Sequence, residues 1–328
     1  MPFVNKEEFL KPNGLTIWLN GAAGSGKTLQ AMTFPKVLLV SLDPTGIDVL
    51  RQPENQRYID NLVMHVSLNG LPLNKVFQFT ETPSEESIYG ALALARKLGP
   101  KGEKKVETIV IDGFSYLGSL KWTQICESKG VVWTEKQGMD RKDSDQRSWY
   151  DALGSYLDHF VLQNLLPLAT RDRLNVIVTC HVQRESKNTI EGIQLARTPT
   201  AIEQQAQSKR QVNLDSDLSP QVLGSFRQRI AGLPSAMIYL EDRLERTEEG
   251  KEIIQYYAYC RRTRSESLDT TILAKNRFGL GTLRLTNGNL YKTILAKIAN
   301  TNAASANTDS KPKQPSTDVQ PTAKGATK

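Results

Sequence analysis

The sequence predicts an α/β fold in which helices flank a mostly parallel, twisted sheet that ends in a late antiparallel hairpin. Three features point there. Short runs are apolar on both faces, as strands buried between two layers of helices must be. Helical patterns alternate with these runs, the grammar of a doubly wound sheet. Near the end, two strand-like segments flank a polar turn.

In chain order, 15–20, 37–42, 108–112 and 175–180 read as strands. Thr82-Pro83-Ser84-Glu85 has the form of a capping box with proline at the first helical position. A helix is expected from there through Leu98, stopped by Gly99-Pro100. A longer helix should span 145–168. Segments 236–246 and 252–262 flank the turn 247–251 and read as a hairpin that extends the sheet at its edge. Residues 184–212 are polar and poorly periodic, a long loop of the kind that usually serves function.

The 328 residues include 39% hydrophobic residues and 22 glycines, the composition of a chain that folds. Residues 1–300 are read as one domain. Residues 301–328 hold one branched aliphatic residue, Val319, and no aromatic, so they cannot bury enough surface to offset their ordering entropy. They are expected to form a disordered tail. No run is long and apolar enough for a bilayer. The first residues lack the basic-then-apolar pattern of a secretory signal. Cys126, Cys180 and Cys260 lie far apart, with neither zinc-ligand nor disulfide-framework spacing. A cytoplasmic protein without a membrane partner is the expectation. The net charge of +7 permits a polyanionic partner without specifying one.

Gly21-Ala22-Ala23-Gly24-Ser25-Gly26-Lys27-Thr28 matches G-x-x-x-x-G-K-[ST] at every fixed position. It follows a predicted strand and opens a short helix that stops before Pro35, the context that gives the motif meaning. Its glycines let backbone N–H groups converge on phosphate oxygens at a helix N-terminus. Lys27 is assigned to the β- and γ-phosphates of ATP, and the Thr28 hydroxyl to Mg²⁺.

Asp112 ends a second apolar strand. It can complete the magnesium shell, as a carboxylate so delivered does in phosphate-loop enzymes, or cap the turn and helix that follow. Asp43 ends the strand after the phosphate-loop helix and can orient the attacking water, though Asp43-Pro44-Thr45-Gly46 is also ordinary turn chemistry. His181 follows the strand NVIVTC and should share a side with Thr179. It reads either as a γ-phosphate sensor or as a structural histidine at a strand end.

Together these segments resemble the RecA-like ATPases of phages, the group linked to single-strand annealing and recombination. The resemblance covers residues 12–300, through GAAGSGKT, FPKVLLVSLDPTG, ETIVIDGFSYL, RSWYDALGSYLDHF, LNVIVTCHVQRE and AKNRFGLGTLRLTNGNLYKTI. Lys275-Asn276-Arg277-Phe278-Gly279 is also similar to a signature of the RadA branch. The resemblance implies a RecA-like core that self-associates into a ring or filament, with recombination or replication proteins as partners. It implies that Lys275 and Arg277 reach a neighbouring subunit's nucleotide; the residues alone also suit a basic β-edge before a glycine turn. It further implies that loops near 129–147 and 184–212, which carry cations such as Arg141, Lys142, Lys209 and Arg210, contact single-stranded DNA. The same loops can equally be solvated. The chain departs from RecA in lacking a Glu at the Asp43 position. Two other classes fit the phosphate loop: a small-molecule kinase, and a non-hydrolysing module that uses ATP as a switch for protein binding.

Overall fold

Strand β1 (Thr16–Gly21) buries all six of its residues, and its alternate side chains feed two different cores. Ile17 and Leu19 enter one hydrophobic cluster and Trp18 the other. The same division runs through β2 (Val37–Ser41), β4 (Thr108–Asp112) and β5 (Asn175–Asn188), where Leu39, Val110 and Ile177 oppose Leu38, Ile109 and Val176. A sheet buried on both faces is what the two-sided apolar runs require. These elements come from a computed structural model, which describes residues 13–129, 144–188, 214–221, 226, 230, 232–247, 249–265, 270–272, 274–285 and 289–297.

The main sheet has the order β12-β8-β7-β1-β5-β4-β2-β3. From β3 (Leu62–Ser67) through β2, β4, β5 and β1 to β7 (Ala236–Arg246), every pairing is parallel. The hairpin therefore joins beyond β1 by a parallel first strand, and only β8 (Glu252–Tyr259) turns the sheet antiparallel. Strand β12 (Thr282–Arg284) pairs antiparallel with β8. The short β11 (Lys275–Asn276) pairs antiparallel with the start of β7.

Helix α1 (Lys27–Ala31) follows β1 and packs into the Leu39 cluster. Short helices α2 (Gln56–Ile59) and α3 (Leu73–Val76) lead to α4 (Ile88–Leu98). On the opposite face lie α4, α5 (Phe114–Ser128) and α6 (Ser144–Phe160). A π-helical turn, Val161–Leu165, joins α6 to α7 (Leu166–Thr170), and α8 spans 290–297. The helix after β1 and the helix after β4 thus cover opposite faces. This opens a crevice between them at the carboxyl edge of the sheet, the usual ligand position in such folds.

Two expectations are corrected. Helix α4 begins at Ile88 instead of Glu85: Ser87 is its cap, its Oγ accepting from Gly90 N at 2.9 Å. Ser84 Oγ instead accepts from Glu86 N at 3.1 Å in a local turn, so the capping-box pattern is spent before the helix starts. The stretch 184–212 does not begin as a loop either. Strand β5 continues to Asn188 and pairs antiparallel with β6 (Leu214–Pro220). That ladder extends through β10 (Thr270–Ile272) to β9 (Thr263–Ser265). Residues 189–212, most of the 129–147 loop and the tail 301–328 lie outside the described residues. No described helix is long and apolar enough to cross a membrane.

Candidate nucleotide-binding site

The phosphate loop leaves β1 at Gly21 and turns into α1 through two left-handed glycines, Gly24 (φ 82°) and Gly26 (φ 80°). Gly26 is constrained twice, because a Cβ there would also stand 2.8 Å from Cε1 of Tyr256. Lys27 is buried and folds back on its own loop, donating to Gly21 O (3.0 Å) and Ala22 O (2.6 Å). Burial lowers its pKa from the ordinary lysine value, and the nearby Asp112 carboxylate opposes that shift.

Asp112 is 2% exposed and meets two hydroxyls. Thr179 Oγ1 donates to Oδ1 at 2.5 Å, and Thr28 Oγ1 lies 3.2 and 3.1 Å from Oδ1 and Oδ2. Thr179 Oγ1 in turn accepts from Gly113 N at 2.8 Å, which fixes its donor direction. Burial raises the Asp112 pKa, the two hydroxyl contacts oppose the rise, and Asp43 adds to it. The carboxylate does not cap α5, whose N-cap is Gly113 (φ 91°) with no side-chain bond. A buried carboxylate with a threonine hydroxyl beside it is a donor set that suits a hard divalent cation. These residues fit Mg²⁺, with Thr28 and Asp112 as its protein-side holders.

Asp43 lines the same cleft, and its Oδ1 accepts from Thr45 N (2.9 Å) and Thr45 Oγ1 (3.0 Å). The turn chemistry anticipated for Asp43-Pro44-Thr45-Gly46 is thus present, and it also holds the carboxylate at the mouth. Gly46 brings that turn against the metal-side acid, since a Cβ there would be 2.8 Å from Asp112 Oδ2. His181 stands level with Gly21 across the β1–β5 ladder and shares the cleft with Thr179. Its backbone N donates to Ser115 Oγ at 3.0 Å, and its ring meets Tyr116 edge-on at 6.0 Å. Burial, then the charge on Lys27, push the imidazole below its ordinary pKa, and Asp43 opposes them.

Lys27, Thr28, Asp43, Asp112 and His181 therefore come together around one cleft of about 280 Å³. Sequence reasoning did not single out Tyr116 or Tyr256 on its walls. Tyr256 arrives from β8, more than two hundred residues after the loop it covers, and no local pattern marks it. Lys275 and Arg277 are not part of the cleft. Lys275 pairs with Met237 and Arg277 N donates to Ser235 O, near the amino edge of the sheet. This pair is several residues down the strands from the phosphate loop.

The intervening Asn276 has a structural task. Its Nδ2 donates to Cys260 O (2.5 Å) and Leu280 O (2.8 Å), and its Oδ1 accepts from Phe278 N (2.9 Å) and Leu280 N (2.8 Å). With left-handed Gly279 (φ 68°), it pins the loop that presents Lys275 and Arg277. Asn276→Ala should cost about 2–4 kcal/mol, four hydrogen bonds at roughly 1 kcal/mol each. A urea melt checks this, and Arg277→Ala, which leaves those bonds intact, should match wild type.

A family model described as AAA domain matches residues 13–278, from the start of β1 past β11 and so across the whole cleft. No curated protein matches the chain. The match spans well over half of the 328 residues and includes every element that builds the phosphate loop. The chain belongs to the AAA domain family of P-loop ATPases.

Proposed function

We propose that the protein hydrolyses ATP with Mg²⁺ as a RecA-like motor that acts on single-stranded DNA in phage-type recombination, annealing or replication. The observation that carries hydrolysis is the convergence of Lys27, Thr28, Asp112 and Asp43 on one cleft. Mg-ATP, when bound, would supply a triphosphate whose terminal phosphorus is open to attack. The loop amides and Lys27 orient the phosphates. Asp112 and Thr28 hold the metal side, with Thr179 locking the carboxylate rotamer. Asp43 accepts hydrogen bonds from the attacking water through the oxygen not tied to Thr45. His181 offers a ring nitrogen at the phosphate end, one residue beyond Cys180 and on the strand that continues towards β6.

Head-to-tail assembly into a ring or filament is supported by the position of Lys275 and Arg277. Both lie towards the amino edge of the sheet, outside the cleft of their own chain. The test is phosphate release with Mg-ATP, with and without single-stranded DNA. Stimulation by DNA is the expected result, and turnover indifferent to DNA would remove the recombination reading. Arg277→Ala should lower turnover roughly 10³-fold or more while sparing ATP affinity. Full activity in a monomer at high dilution would exclude a finger in trans.

A further inference from the structure

Three described non-glycine residues have left-handed backbone: Lys36 (φ 45°), Lys104 (φ 59°) and Arg173 (φ 63°). L side chains seldom occupy that region, and glycine or asparagine normally takes such positions after a helix. Here all three are cations. Each sits in the turn that feeds a strand at the amino edge of the sheet: Lys36 before β2, Lys104 before β4, Arg173 before β5. Those strands are neighbours, in the order β5-β4-β2.

The turns are also tied to one another. Glu107 N and Thr108 N donate to Lys36 O, and Asn175 N donates to Glu107 O. The turns that carry the three cations therefore lie side by side along one edge, feeding strands about 5 Å apart. The same turns add Lys101, Lys105 and Arg171, against the carboxylates Glu103, Glu107 and Asp172. Favourable helix dipoles explain cations near helix ends. They do not explain cations at the left-handed residue itself, where glycine makes the same turn without strain.

At Arg171 the strip meets a groove of about 290 Å³ lined also by Arg96, His159, Gln163 and Phe79. Phe79 is 68% exposed, its ring edge-on to Tyr89 at 5.3 Å. One wall, at Gln163 and Asn164, is the π-helical turn, an irregularity often found at functional sites. Cations along a track with an exposed aromatic beside it are the means by which proteins hold single strands. We infer that the amino edge of the sheet, opposite the nucleotide cleft, is a binding surface for a single-stranded polynucleotide. Its phosphates run along Lys36, Lys104 and Arg173, and a base enters the Phe79 groove. This surface shares its ligand class with the proposed function but not its residues, and binding to it needs no ATP turnover.

The test uses the full chain with Lys36, Lys104 and Arg173 all changed to glycine, a fluorescent oligo-dT probe, a salt titration and a thermal melt. Glycine relaxes the left-handed turns, so Tm should stay level or rise. Affinity should fall about tenfold or more, and the salt slope should lose about 2, from three phosphate contacts at about 0.7 each. Phe79→Ala should weaken binding with the slope unchanged. If the glycine variant melts early, Lys101→Ala with Lys105→Ala replaces it, with an expected slope loss of about 1.4. Wild-type affinity and slope in the variants would overturn the inference, as would wild-type protein that binds anionic vesicles and not the oligonucleotide. DNA-stimulated turnover with unchanged slopes would sink this surface alone. Changed slopes with turnover indifferent to DNA would sink the proposed function alone.

Discussion

Lys27→Ala is expected to reduce ATP turnover by a factor on the order of 10²–10³, the usual cost of losing one preorganised donor at a site of developing charge. The ammonium now donates to two carbonyls of its own loop, at 3.0 and 2.6 Å. A triphosphate offers charged acceptors in the same place, and charge-assisted bonds are about twice as strong as neutral ones. Burial has already depressed the Lys27 pKa, so this cation is poorly solvated and gains most from an anionic ligand. The fold should tolerate the change, because Ala22 is exposed and its released carbonyl can take water. Phosphate release together with a thermal melt separates the two effects. Turnover at the wild-type level in a folded Lys27→Ala protein would remove the catalytic assignment of the whole loop.

Those elements that could be read from sequence are the ones whose physics is local. Strands β1, β2 and β4 announce themselves because burial on both faces leaves their central positions apolar, and the phosphate loop because its left-handed residues must be glycine. The β7–β8 hairpin is legible from its turn, although its parallel pairing with β1 is not, since nothing within Ala236–Leu240 says which strand lies alongside. The far half of β5 was hidden because residues 183–188 are polar. Their pairing with 214–220 depends on a return segment that no turn signature marks. Strand β3 was missed for a related reason: at the sheet edge, only Val66 of its six residues is fully covered.

In the cleft, Lys27, Thr28 and Asp112 followed from spacing plus the need of a phosphate loop for a metal-side acid. Thr179 and Tyr256 depend on register between strands, and Tyr116 on how α5 packs, neither of which the chain displays. The placement of Lys275 shows the same limit. Its type and neighbours are plain in the sequence, but its level along β7, far from its own nucleotide, is fixed by pairing with Met237.

Asp112→Asn should abolish Mg²⁺-dependent turnover and at the same time make the nucleotide-free protein more stable. The carboxylate is 2% exposed, and its folded pKa is raised above the unfolded value, mainly by burial, with Asp43 adding to the rise. A group with a raised folded pKa contributes stability when protonated, below the unfolded pKa near 3.8, and loses it as pH rises through the folded value. Ionising Asp112 as pH rises through that window therefore costs stability, about 1.4 kcal/mol for each unit of the rise. Asparagine keeps the shape and an acceptor for Thr179, while its amide can donate to the Thr28 hydroxyl. The variant should melt higher by roughly 2–4 °C for each kcal/mol recovered. Its stability should also stop declining with pH across the window above 3.8 in which wild type loses it. Wild type, in contrast, should gain about 2.7 kcal/mol from Mg-ATP at a hundredfold excess over Kd, a gain the variant lacks. Melts at several pH values, with and without Mg-ATP, read all three effects. A variant that is less stable without nucleotide, yet still stabilised by Mg-ATP, would show that Asp112 holds the fold together and not the metal.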